Sequence, residues 1–170
     1  MTERSTTAEQ IAQRLALQFG AIPAILADRE PADLERRPPS GGWCAREQLA
    51  HLARYHEVTL ERLSRILTES RPRFERYRAE DDPEFLPWLT CPADEIIRRV
   101  GVLRARLSGM VQRLSPEQLG RVGVHPVFGE MPMSLWLEFF LVHEGHHLYA
   151  LFQRARERPA VGRVGEGERL

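Results

Sequence analysis

The chain has 170 residues, 42% of them hydrophobic, and balances 24 basic against 24 acidic residues, every basic one an arginine. That length predicts a single core, and a chain without net positive charge lacks the field that drives non-specific nucleic-acid binding. Apolar runs such as Phe139 to Val142 fall far short of the roughly 20 residues of a membrane span. Residues Met1 to Ser5 open no signal-peptide core, so a cytoplasmic protein with no nucleic-acid or membrane partner is expected. Cys44 and Cys91 are the only cysteines and form no CxxC, so any metal site must be built from histidines and carboxylates.

Thr7-Ala8-Glu9-Gln10 is a capping box, and Ile11, Leu15, Phe19, Ile22 and Leu26 follow at helical spacing. The first helix is predicted from about Ala8 toward Asp28, kinked at Pro23. Arg36 to Gly42 is rich in breakers, and a second helix opens at Trp43 to Glu47 with Cys44 where Ser or Thr usually caps. It carries Leu49, Leu52, His56, Leu60, Leu63 and Leu67 on one stripe and ends before Arg71-Pro72. Residues 71–92 read as a polar connection long enough to cross a bundle end. Ile96, Val100, Leu103, Leu107, Met110 and Leu114 give a third helix, Ala93 to Leu114. After a short turn at Ser115-Pro116, Gly120 to Pro132 is predicted as a loop, and Ser134 as the cap of a fourth helix, Leu135 to about Arg156. No segment alternates with period two, so the expected fold is all-α, a four-helix bundle over residues 1–157 with a mobile tail at 158–170.

Five of the six histidines fall in two clusters, His51 and His56 on the second helix and His143, His146 and His147 on the fourth. His143 and His147 lie about 40° apart on one helical face, so both imidazoles can reach one ion. That face also carries Trp136, Phe139, Phe140 and Leu151, and two unpaired imidazoles in such surroundings are costly unless a metal satisfies them. Periodicity favours His56 as a third ligand, because it lies in the apolar stripe. His51, roughly 140° away beside Gln48, Tyr55, Val58 and Arg62, better suits the wall of an open cleft. Pattern alone leaves the choice open.

Trp43-Cys44-Ala45-Arg46-Glu47-Gln48-Leu49-Ala50-His51-Leu52 and Val142-His143-Glu144-Gly145-His146-His147-Leu148 resemble the second-helix and fourth-helix motifs of the DinB-like family of bacterial proteins. The resemblance covers about residues 8–157, with Cys44 departing from the usual Ser. It implies an up-up-down-down four-helix bundle with a long crossing connection, and His51, His143 and His147 as ligands of a divalent metal at its open end. A divalent transition metal, zinc or nickel first, is expected, since an all-histidine set disfavours magnesium and calcium. Binding should weaken below about pH 6.5, where free imidazole takes up a proton.

His143 to His147 also matches the zinc-protease pattern HExxH, with Glu144 as base. No strand is expected to hold a peptide, and the carboxylates beyond the helix, Glu157, Glu166 and Glu168, are poorly placed as a third ligand. Glu144 is read instead as a neighbour of the site and an exposed charge.

Three imidazoles leave an open position at which a zinc-like ion makes hydroxide available or holds a thiol as thiolate. The family resemblance implies transfer of a low-molecular-weight thiol of the bacillithiol type to small-molecule electrophiles, placed slightly ahead of hydrolysis. A stress-associated metal-binding bundle without catalysis is the third reading. Tyr55, Arg62 and His146 are candidates for residues that support the site or anchor an acidic thiol. Val102, Val111, Leu137, Leu141 and Leu148 leave apolar surface that predicts a homodimer, unless the 71–92 connection covers it.

Overall fold

The structure, a computed structural model, describes residues 7–39 and 41–157; the predicted tail, 158–170, lies outside them. The first helix is two helices, α1 (Thr7–Phe19) and α2 (Ala21–Leu26). The break falls at Gly20, and not at Pro23, because Pro23 has no N–H for the Phe19 carbonyl four residues back. As the third residue of α2, Pro23 occupies a position whose N–H would lack a helical partner anyway. A short α3 (Pro31–Leu34) leads to α4 (Ala45–Thr68). Glu47 supplies the cap that Cys44 makes weak, accepting the Cys44 N–H at 2.9 Å while Arg37 holds its other oxygen at 2.5 Å.

The crossing connection contains two 3-10 turns and α5 (Leu86–Leu89), and leads to α6 (Ala93–Gln112) and a short α7 (Pro116–Leu119). The predicted loop that follows is a β-hairpin, β1 (Val122–His125) and β2 (Gly129–Pro132), paired from Val122 with Pro132 to His125 with Gly129. Strands of four residues are too short for alternation to register in a sequence. The connection adds a parallel bridge, Arg73 to Val124. Strand β2 passes directly into α8 (Met133–Arg156), whose cap position is Pro132 and not Ser134. The Met133 N–H bonds to the Arg121 carbonyl at 2.8 Å, tying the helix start to the hairpin.

The four-helix bundle and its crossing connection stand as expected, but the helix directions differ. Arg14 meets Glu138, Gln18 meets Glu144 and the Ala24 carbonyl meets Arg156, so α1–α2 and α8 run parallel. His51 meets His143 and Gln48 meets His147, so α4 runs against α8. Leu60, Leu63 and Ile66 share one core cluster with Leu107 and Val111, while Leu49 and Leu52 share another with Ile96 and Val100; α4 and α6 are therefore parallel. The order is up-down-down-up. Only the α4–α6 connection has to traverse the length of the bundle, whereas up-up-down-down needs two such crossings.

The apolar surface that argued for a homodimer is largely interior. Val111, Leu137, Leu141 and Leu148 are buried, and only Val102 is exposed. Leu137 and Leu141 share the core cluster of Ile11 and Leu15, while Leu148 packs in the cluster of Ile22 and Leu34; the N-terminal helices, more than the connection, supply the cover. Among the described residues no helix is long and apolar enough to cross a membrane.

Candidate metal centre

Antiparallel packing of α4 on α8 sets His51 opposite His143 and Gln48 opposite His147. Each of His51, His143 and His147 offers a ring nitrogen within 4.8 Å of the others. The Nε2 atoms of His51 and His143 are 3.1 Å apart, close to the roughly 3.3 Å between two nitrogens on one tetrahedral zinc at 2.0–2.1 Å. The Gln48 Oε1 lies 2.9 Å from His147 Nδ1 and fixes that nitrogen as the N–H, leaving Nε2 its lone pair. His51 Nδ1 is buried without a hydrogen-bond partner, so aromatic packing holds this ring: Trp43 at 4.9 Å, Tyr55 at 5.8 Å and Tyr77 at 6.0 Å between centroids. Tyr55 also stacks on His143 at 3.8 Å.

Burial, then the neighbouring imidazoles, pushes His51 down to about 2, His143 to about 3 and His147 to about 4. All three are neutral donors at physiological pH, which is what coordination requires. Three neutral nitrogens converging without a carboxylate suit a borderline or soft divalent ion and not a hard one. The residues fit a transition metal.

The histidines form one wall of a cavity of about 530 Å³. Trp43, Tyr55, Phe139 and the hairpin residues His125 and Phe128 supply its apolar surface, and Arg62, Arg76 and Arg78 supply charge. A 620 Å³ groove next to it is lined by the connection and by α4 but includes none of the three histidines; all three candidate ligands line the smaller space.

The DinB superfamily profile matches residues 14–151. The chain belongs to the DinB superfamily. A "Putative metal-dependent hydrolase" of Oceanobacillus iheyensis is 28% identical over 109 residues, covering 64% of this chain and 63% of that protein, so the match spans less than two thirds of that relative. Another so named, from Bacillus mycoides, is 25% identical over 146 residues and 84% of each chain. YfiT from Bacillus subtilis, described as "a probable metal-dependent hydrolase with an unusual four-helix bundle topology", superposes with a TM-score of 0.76 at 20% identity, covering 92% of this chain and 91% of that one. The four-helix bundle protein TT2238 gives 0.61 at 25% identity, over 85% and 97%.

In this DinB-superfamily bundle the two candidates for a third ligand are placed differently. His51 reaches the pair on α8, whereas His56 is sealed in the core, its Nδ1 donating to the Leu52 carbonyl at 2.6 Å and its Nε2 3.5 Å from Glu144. Glu144 is not the exposed charge expected from the sequence. It is 1% exposed, ion-paired with Arg104 and accepting from Gln18 at 2.7 Å. That commitment removes it as the base of an HExxH protease. Tyr55 and Arg62 line the cavity as anticipated, while His146 is exposed and meets only the edge of His147. Trp43, Tyr77, His125 and Phe128 also line the cavity; no periodicity places them there, because the residue before the α4 cap, the connection and the hairpin bring them in from outside the helices.

Proposed function

We propose that His51, His143 and His147 hold one divalent transition metal, zinc or nickel, and that the DinB-superfamily chain is a metal-dependent hydrolase of a small-molecule substrate. The observation that carries this reading is the convergence of three neutral imidazoles on the wall of a cavity large enough for a small substrate. A zinc-like ion held there supplies Lewis acidity at neutral pH. Gln48 keeps His147 in the tautomer that presents Nε2, and Tyr55 holds the plane of His143 by stacking. Trp43, Phe139 and Phe128 reduce the water in contact with the bound substrate, which strengthens charge interactions inside the cavity. The names carried by the relatives support hydrolysis over thiol transfer, and no residue of the cavity singles out a thiol.

Elemental analysis of the purified protein, followed by turnover of an activated carboxylic ester, tests the proposal. Near one equivalent of metal, ester cleavage abolished by chelation, and restoration by zinc or nickel are expected. Turnover of an electrophile only when bacillithiol is present would replace hydrolysis with transfer to the thiol. Metal with neither activity would leave a metal-binding protein.

A further inference from the structure

The cavity beside the three histidines is also cationic. Arg62, Arg76 and Arg78 line the cavity against a single carboxylate, Glu80. Ten of the other described arginines are matched to acids, among them Arg14 to Glu138, Arg46 to Glu35, and Arg54 to Asp82 and Glu57. Among the described residues, none of the three cavity arginines has an ion pair. Arg62 differs from the other two in being half-buried and fixed. Its Nη2 donates to the Glu75 carbonyl at 3.0 Å, and its guanidinium sits 5.6 Å from the ring centres of Phe74 and Trp136. A carbonyl, the Tyr55 side chain and two ring faces orient the guanidinium, and the field of Glu61 offsets its charge in part without an ion pair. Burial accordingly pushes Arg62 below the usual arginine range. A partly desolvated, positioned and unpaired guanidinium beside a substrate cavity is a preorganised receptor for a planar or tetrahedral anion, which it can bind through two parallel N–H donors.

We propose that the substrate carries an anionic group, carboxylate or phosphate, that Arg62 anchors, with the exposed Arg76 and Arg78 closing on it from the connection. This rests on the cavity being the substrate site of the proposed hydrolase. It adds the substrate's charge and the residue that reads it.

The test measures binding first and turnover second. Protein stripped of metal, with its metal content checked, is titrated by calorimetry with succinate, with inorganic phosphate and with the neutral isostere succinamide. One of the anions is expected to bind at least about tenfold more tightly than succinamide, as charge-assisted hydrogen bonds predict. The tighter of the two identifies carboxylate or phosphate as the recognised group. Arg62→Gln should weaken that anion by about tenfold or more. Because Arg62 also packs on Phe74 and Trp136, the double variant Arg76→Gln/Arg78→Gln, at exposed positions, should independently weaken it several-fold. Arg65→Gln, which lies outside the cavity and pairs with Glu69, should change nothing. Equal affinity for succinamide and both anions, or unchanged anion affinity in both arginine variants, overturns the proposal. The two readings fail separately: anion binding without ester cleavage removes the hydrolase and keeps the anchor, while cleavage of neutral esters without anion binding does the reverse.

Discussion

Helices α4 and α8 bring together two polar clusters, each containing a histidine of α4 and a residue of the His143–His147 segment. In one, His51, His143 and His147 face a cavity and have almost no hydrogen-bond support beyond Gln48. In the other, His56 and Glu144 are sealed with Arg104 and Gln18, and the carboxylate is matched to a guanidinium that also lies 5.2 Å from the Phe140 ring. His143 and Glu144 are neighbours in sequence, yet about 100° of helical rotation sends one to the cavity and the other into the core. The sealed cluster has its charges matched inside the chain. The open cluster converges without a carboxylate, and that difference marks it as the candidate metal site.

Breaking the sealed cluster should have the largest effect. Glu144→Leu leaves Arg104 as a buried, unpaired cation, and should cost about 3–5 kcal/mol of stability in urea unfolding. The double variant Glu144→Leu/Arg104→Met, which removes both charges, should recover most of that loss. Metal retained per folded molecule should stay near one equivalent in the double variant. A single variant as stable as the parent would mean that the ion pair is not part of the fold.

Breaking the open cluster should do the opposite, removing metal while sparing the bundle. His143→Ala, His147→Ala and His51→Ala should each lose bound metal in elemental analysis, and with it the metal-dependent stabilisation of about 2.7 kcal/mol expected at a hundredfold excess over Kd. Their metal-free forms should unfold within about 1 kcal/mol of the parent. His56→Ala should keep its metal and be destabilised. Metal retained by the His51 variant and lost by the His56 variant would exchange the roles of the two clusters.

Much of this division was legible in the sequence, and where it was not the reasons are physical. The i, i+4 spacing of His143 and His147 was sufficient to predict their convergence, as the face of Gln48, Tyr55 and Arg62 was to anticipate the wall beside His51. Periodicity favoured His56 because it marks what is buried, and a ligand with an open side sits beside the stripe and not in it. Glu144 was misread as exposed because its partner Arg104 is 40 positions away on another helix, and pairing between helices leaves no local pattern. Helix direction was equally hidden: each amphipathic stripe is the same read up or down, and only the connection lengths distinguish the arrangements. The hairpin that brings His125 and Phe128 to the cavity is held by pairing across a tight turn at Gly129, φ 72°, and not by any alternation long enough to see.

Acid should separate the clusters less sharply, because both hold neutral histidines. Burial holds His51 at about 2, His56 and His143 at about 3 and His147 at about 4, against about 6.5 in an unfolded chain. Above pH 6.5 neither state binds these protons. As pH falls below that value the unfolded chain takes them up and the folded chain does not. The metal-free protein should therefore lose up to about 1.4 kcal/mol per pH unit for each such histidine, until the folded state begins to protonate near pH 4. His56→Leu should flatten the measured slope by one histidine's share and leave metal content unchanged; an unaltered slope would show that His56 is not held neutral. The same depressed values revise the acid sensitivity of metal binding. Protons compete with the ion only near and below pH 4, so affinity should be nearly flat between pH 7 and 5 and not fall from 6.5, as free imidazole would.

The smallest expected effect concerns the one hydrogen bond that supports the open cluster. If Gln48 Oε1 accepts from His147 Nδ1, Nε2 is left as the lone-pair donor; if the amide were reversed, its NH₂ would donate to Nδ1 and Nε2 would carry the proton and could not ligate. Gln48→Leu removes this choice and lets the imidazole populate both tautomers. Metal affinity should fall by about tenfold, the lower end of what such supporting residues contribute, because Tyr55 and Trp43 still confine the neighbouring rings. Gln48→Glu should bind at least as tightly as the parent, since a carboxylate can only accept from Nδ1–H and makes the ring a stronger donor. A competition titration with a chromophoric chelator resolves a tenfold change. Equal affinity in the Leu variant, or weaker binding in the Glu variant, would mean that packing alone orients His147, as it does His51.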